Sequence, residues 1–133
     1  MKAVFADTYF YLALLNRRDA AHARVVRVMR ELAAPVVTTA WVMAEVADAM
    51  ASPMHRVGFS RFFDALGQDP NVTTIPASDE LFLRGMRLYA ERPDKERSLT
   101  DCISFTVMQD EGLSDVLTAD HHFEQAGFRP LLA

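Results

Sequence analysis

Ala3-Val4-Phe5-Ala6-Asp7-Thr8 is a short apolar run that ends abruptly in a carboxylate and a hydroxyl. A run of four apolar residues with no alternation reads as a strand buried on both faces, the form found in parallel sheets. Val36-Val37-Thr38-Thr39, the β-branched Val72 to Ile75 and Val116-Leu117-Thr118 also read as short strands, at intervals filled by helical patterns. Tyr9 to Leu15, His22 to Leu32, Trp41 to Met50, Arg56 to Leu66, Asp79 to Tyr89 and Thr100 to Glu111 carry the helical spacing. Thr39 and Ser78 stand where helix caps are expected, and Ser98-Leu99-Thr100-Asp101 has the capping-box arrangement with Asp in place of Glu. Pro35, Pro53, Gly67 and Gly112 read as stops, and Phe128 to Leu132 as a last edge strand. Alternating strands and helices predict an α/β fold with a mainly parallel sheet between helical layers. Ligands of such sheets gather beyond the carboxyl ends of the strands, where strand order reverses. Asp7 and Asp120 both follow strand ends.

The chain has 133 residues, half of them apolar, which predicts a single domain, 1–133, with one core. Its formal charge is −4, so attraction to a nucleic acid would have to come from a local patch. Cys102 is the only cysteine, which excludes an internal disulfide and a cysteine zinc site, and a reducing cytoplasm is the expected compartment. Arg17, Arg18 and Asp19 end the first apolar stretch, and no run reaches the length of a membrane span. A chain with no membrane segment and no leader is expected.

Asp7 follows a strand, Glu45 lies early in a helix, Asp101 falls in a first helical turn, and Asp120 follows a late strand. Two like charges 4 Å apart repel by about 4 kcal/mol at an effective dielectric of 20, so four clustered carboxylates call for a cation or for protonation. With no histidine or cysteine ligand set, a hard ion that prefers oxygen, Mg²⁺ or Mn²⁺, fits such a cluster and suits phosphate chemistry. The chain has 18 acidic residues, however, and Asp101 is equally well explained as the charge of a helix N-terminus.

The strings FADTYFYLALL (5–15), TTAWVMAEVADAM (38–50), DKERSLTDCISFTVM (94–108) and LTADHHFEQAGF (117–128) narrow the choice. In order and spacing they resemble the motifs of PIN domains, specifically of VapC-like toxin ribonucleases, from Val4 to Leu132. The resemblance implies a three-layer α/β/α sandwich and an acidic quartet of Asp7, Glu45, Asp101 and Asp120, with Thr8 and Ser98 as polar neighbours. It also implies RNA cleavage, a homodimer, and an antitoxin protein that blocks the site. Arg97 departs from it, since that position often carries tryptophan in the family.

Other residues admit two readings. Asp94 is an accessory acid at the mouth of the site or a solvated loop charge, and Asp48 reaches the site edge or faces solvent. His121 and His122, taken as extended chain, would diverge, which weakens a catalytic role. Cys102 reads as a small buried residue. Phe59, Phe62, Phe63, Phe82 and Phe105 read as core or dimer surface, and Met43, Met50 and Met54 as packing. Arg24, Arg27 and Arg30, with Arg17 and Arg18, either lead RNA phosphates toward the acids or form a solvated or antitoxin-binding face. Two other functions remain open. One is a phosphatase using Asp7 as nucleophile, for which Tyr9 stands where a second aspartate is usual. The other is a non-catalytic PIN-like module that binds RNA or protein.

Overall fold

Val4, Phe5 and Ala6 are all buried, as a strand covered on both faces must be. They form β1 (Val4–Ala6) in a computed structural model that describes residues 2–133. The chain continues through α1 (Thr8–Leu15), α2 (His22–Glu31), β2 (Val36–Thr39), α3 (Ala40–Ala49), α4 (Pro53–Gln68) and β3 (Val72–Ile75). It then runs through α5 (Asp79–Glu91), α6 (Leu99–Asp110), β4 (Asp115–Leu117), α7 (His121–Gln125) and β5 (Arg129–Pro130). The strands form one five-stranded sheet in the order β3-β2-β1-β4-β5, every pairing parallel, flanked by helices. Phe5 pairs with Val37 on one side and Val116 on the other, and Ala6 pairs with Leu117. β1 is thus central: the chain builds outward to β3, then returns to add β4 and β5 on the opposite side of β1. No helix among the described residues is long and apolar enough to cross a membrane.

The core is densest around α6, where every residue from Asp101 to Met108 is buried. Phe105 meets Phe123 edge-on at 4.9 Å between ring centroids and stacks with Phe128 at 5.7 Å. Burying one such ring is worth about 1.5–3 kcal/mol. α5 packs directly on α6. Their close approach depends on Gly85, where an added Cβ would lie 2.3 Å from Ile103 Cγ1. The Thr39 hydroxyl accepts from Val42 N at 3.1 Å, starting the helix that carries Glu45 and contributing about 1 kcal/mol.

Four sequence expectations change. α4 begins at Pro53, not Arg56, because proline suits the first turn of a helix, and it runs through Gly67 to Gln68. None of its residues is fully buried; Phe59, Phe62 and Leu66 lean on the core while Phe63 is 47% exposed. Met54 is 85% exposed, so it has no packing role. Residues 121–125, taken as extended, are the helix α7, started by the Asp120 side chain accepting from His122 N at 2.9 Å. The last strand shrinks to two residues, with Leu132 buried just beyond it.

Candidate metal centre

β1 and β4 are neighbours in the sheet but far apart in sequence, so their carboxyl ends flank the point where strand order reverses. Asp7 leaves β1 there as the N-cap residue of α1, and Thr118 to Asp120 leave β4. α3 and α6 bring Glu45 and Asp101 to the same place. Asp7, Thr8, Tyr9, Glu45, Ser98, Asp101, Ala119 and Asp120 line one open cleft of about 450 Å³. No lysine or arginine belongs to its lining.

Each of the four acids is anchored by the protein through one oxygen. Asp7 Oδ2 accepts from the buried Thr118 hydroxyl at 3.0 Å, and Glu45 Oε1 accepts from the Thr8 hydroxyl. Asp101 Oδ2 accepts from Ser98 N at 3.3 Å while Ser98 Oγ accepts from Asp101 N at 3.0 Å, a complete capping box. Asp120 Oδ1 accepts from His122 N, and Asp120 N donates to Thr118 Oγ1 at 3.1 Å. In each acid, no side chain among the described residues hydrogen-bonds the second oxygen.

This clustering perturbs titration. Burial, and then the charges of Asp101 and Asp120, raise the Asp7 carboxyl to about 7, although Thr8 N–H and the Thr118 hydroxyl pull it down. The Asp101 carboxyl is also raised, first by burial and then by Asp120 and Glu45. An acid 4% exposed with no basic partner is stable as an anion only if a cation joins it. Oxygen donors that are anchored and mutually repelling suit a hard divalent ion, and Asp7, Glu45, Asp101 and Asp120 are the candidates to hold it. Among the described residues the three ligand atoms that lie within 4.8 Å of one another are those of Asp120, His121 and His122.

Other candidate residues lie elsewhere. Asp94 is exposed and held by the Arg92 guanidinium at 2.9 and 3.0 Å, which brings its carboxyl down to about 2. Asp48 is exposed on α3 outside the cleft lining, and Cys102 is buried. Arg24, Arg27 and Arg30 are exposed on α2 and none lines the cleft; Arg24 donates to the main-chain oxygen of Ala133. Because α7 is helical, His121 and His122 do not diverge: their ring centroids are 4.3 Å apart, and both come within 4 Å of Asp120 Oδ1. Sequence reasoning missed Thr118, which ties Asp7 to Asp120. The signal was a threonine at a strand end, two residues before an acid.

The PIN domain family pattern matches residues 4–129. The 23S rRNA-specific endonuclease VapC20, from two strains of Mycobacterium tuberculosis, is 27% identical over 126 residues, which are 94% of this chain and 95% of its own length. The crystal structure of Mycobacterium tuberculosis VapC20, a sarcin-ricin loop cleaving toxin, has the same fold: the TM-score is 0.85 at 24% identity, over 94% of this chain and 95% of the other. FitAcB from Neisseria gonorrhoeae matches with a TM-score of 0.67 at 19% identity, over 96% of this chain and 94% of that one. An all-parallel sheet with acids at its switch point and a family match running almost end to end lead to one assignment: this chain belongs to the PIN domain family.

Proposed function

We propose that this protein is a metal-dependent endoribonuclease acting as the toxin of a toxin–antitoxin pair. Asp7, Glu45, Asp101 and Asp120 would hold Mg²⁺ or Mn²⁺. The observation that carries the proposal is the convergence of four anchored carboxylates in a cleft with no lysine or arginine. The likeness to VapC20, named as a ribosomal RNA endonuclease and toxin, supports RNA as the substrate class.

When bound, the divalent ion would polarise the phosphodiester and offset the charge that develops during in-line displacement. The chain's own residues supply position. Thr118 fixes Asp7 against Asp120, Thr8 turns Glu45, and the capping box holds Asp101, so the carboxylates need little rearrangement when substrate arrives. In hydrolysis, the water oxygen bonds to phosphorus and the bond from phosphorus to one ribose oxygen breaks. Glu45 or Asp120, each with one oxygen that accepts from no donor among the described residues, would take the proton from water, and the leaving oxygen would be protonated from solvent. A homodimer and an antitoxin that covers the cleft complete the proposal; Phe63, Phe82 and Leu83 offer exposed apolar surface for such contacts.

The test is cleavage of ribosomal RNA by the purified protein with Mn²⁺, with EDTA, and with Asp101→Asn in Mn²⁺. Cuts are expected only for the wild type with Mn²⁺. Intact RNA in all three, while a control nuclease cuts it, would leave the chain as a binding module.

A further inference from the structure

Beside the carboxylate cleft lies a larger groove of about 780 Å³, and Ser98 lines both. One wall is α5, which presents Met86 and Tyr89, 37% and 49% exposed. The other is the segment leading into α6, with Lys95 and Arg97. Arg92 also borders the groove, but its charge is matched by Asp94. Lys95 and Arg97 have no carboxylate in ion-pair contact among the described residues, and against Glu96 they leave the lining with a net positive charge.

Arg97 is the unusual residue. Its guanidinium lies over the Phe105 ring, 5.4 Å from the centroid, so a core aromatic holds it in place. Its Nε is buried and has no hydrogen-bond acceptor. The Nε is closed to solvent, so an incoming anion would meet the terminal guanidinium nitrogens, which hydrogen-bond to no group among the described residues. The cation is adjacent in sequence to Ser98 at the lip of the acidic cleft, and it shares its groove with an exposed tyrosine. Fixed positive charge beside a free aromatic face is the combination that binds a single-stranded nucleic acid, phosphate on the cation and base on the ring. The groove is also large enough for a nucleotide.

We propose that this groove is the subsite for the nucleotide next to the scissile phosphate: Arg97 and Lys95 hold its phosphate and Tyr89 stacks its base. The proposal rests on the reading of the acidic cleft as an RNA-cleaving site, and it makes Arg97 and Tyr89 determinants of where an RNA strand is cut.

The experiment measures binding of a fluorescein-labelled single-stranded RNA oligonucleotide across a salt series, on the Asp101→Asn background so that no cleavage intervenes. Arg97→Gln is expected to weaken binding about tenfold and to reduce the salt slope by about 0.7. Arg97→Lys should restore most of both. Tyr89→Ala should weaken binding about tenfold with the slope unchanged, as loss of stacking does. Wild-type affinity and slope in a folded Arg97→Gln protein would overturn the proposal. Should Arg97→Gln fail to fold, Lys95→Gln and Tyr89→Ala carry the test, and unchanged binding in both overturns it. If Tyr89→Ala turns a dimer into a monomer while RNA affinity holds, the face belongs to a second copy and the subsite is likewise overturned. Loss of binding in these variants of a protein that cuts no RNA would uphold the groove as an RNA contact but sink the nuclease reading, and with it the placement beside a scissile phosphate. Undiminished binding in variants of a protein that does cut RNA would sink the subsite alone.

Discussion

Asp94, Asp110 and Asp115 each meet an arginine fork, Arg92, Arg84 and Arg129 respectively, at 2.8–3.0 Å. Asp7, Glu45, Asp101 and Asp120 meet no arginine or lysine at such distances. The contrast shows in titration. The arginine forks draw the Asp94 and Asp110 carboxyls down, while burial and mutual repulsion push Asp7 and Asp101 up. At these three surface positions the chain neutralises an acid with its own cation; in the cleft it anchors four acids together and leaves the neutralising charge to come from outside. The cleft is therefore electrostatically incomplete, and that incompleteness underlies the proposed function.

The sharpest way to break the comparison is to remove one charge from each set. Asp7→Asn and Asp101→Asn should each lower RNA cleavage by more than about a hundredfold, beyond what loss of a residue supporting a metal ligand typically costs. Asp94→Asn should cleave at the wild-type rate. Equal losses from a cleft acid and from Asp94, measured as initial rates at saturating Mn²⁺, would erase the distinction.

The next effect is on stability without metal. Asp7 holds its proton more tightly in the folded chain than in the unfolded one, where the ordinary value is 3.8. The folded state therefore binds more protons between pH 3.8 and about 7, and stability falls as pH rises through that window. The loss from Asp7 is on the order of 2–4 kcal/mol, and denaturant titrations in EDTA at several pH values should record it. Asp7→Asn should flatten the decline; a wild-type curve that is already flat would show that the cleft carries no strain.

Two smaller tests move the scaffold rather than the charges. Gly85→Ala forces Ile103 away and disturbs α6, the helix that starts at Asp101, so it should cost about 1–3 kcal/mol in a denaturant titration. It should also weaken Mn²⁺ binding while leaving the arginine forks of Asp94 and Asp115 intact. Thr118→Val removes the hydroxyl shared by Asp7 and Asp120, with an expected loss of about 1 kcal/mol and a roughly tenfold weaker Mn²⁺ affinity by calorimetry.

Much of this was legible in the sequence because local signals agreed with the fold. A continuous apolar run ending at Asp7, the caps at Thr39 and Ser78 and the capping box at Ser98 are short-range features, and each lies where it was expected. The misreadings came where tertiary context overrode a local rule. Gly67 was taken as a stop, yet α4 continues through it, and Pro53 starts a helix where a break was expected. α7 has only five residues, too few to show a period, and depends on the Asp120 cap. Thr118 and Asp7 are 111 residues apart, and only the parallel pairing of β1 with β4 brings them together. The clustering of the four acids is likewise a product of sheet order, and no one-dimensional pattern encodes the distance between them.

The most direct measurement is the thermal midpoint of the wild-type protein at pH 8 as Mn²⁺ is added from zero to millimolar concentrations, with Asp101→Asn alongside. An ion that completes the cleft binds only the folded state and should stabilise it by about 2.7 kcal/mol at a hundred times its dissociation constant. The midpoint of the wild type should climb with Mn²⁺ and return with EDTA, while that of Asp101→Asn stays nearly level. A wild-type midpoint that does not move, or one that rises equally in Asp101→Asn, would contradict the claim that these carboxylates await a divalent cation.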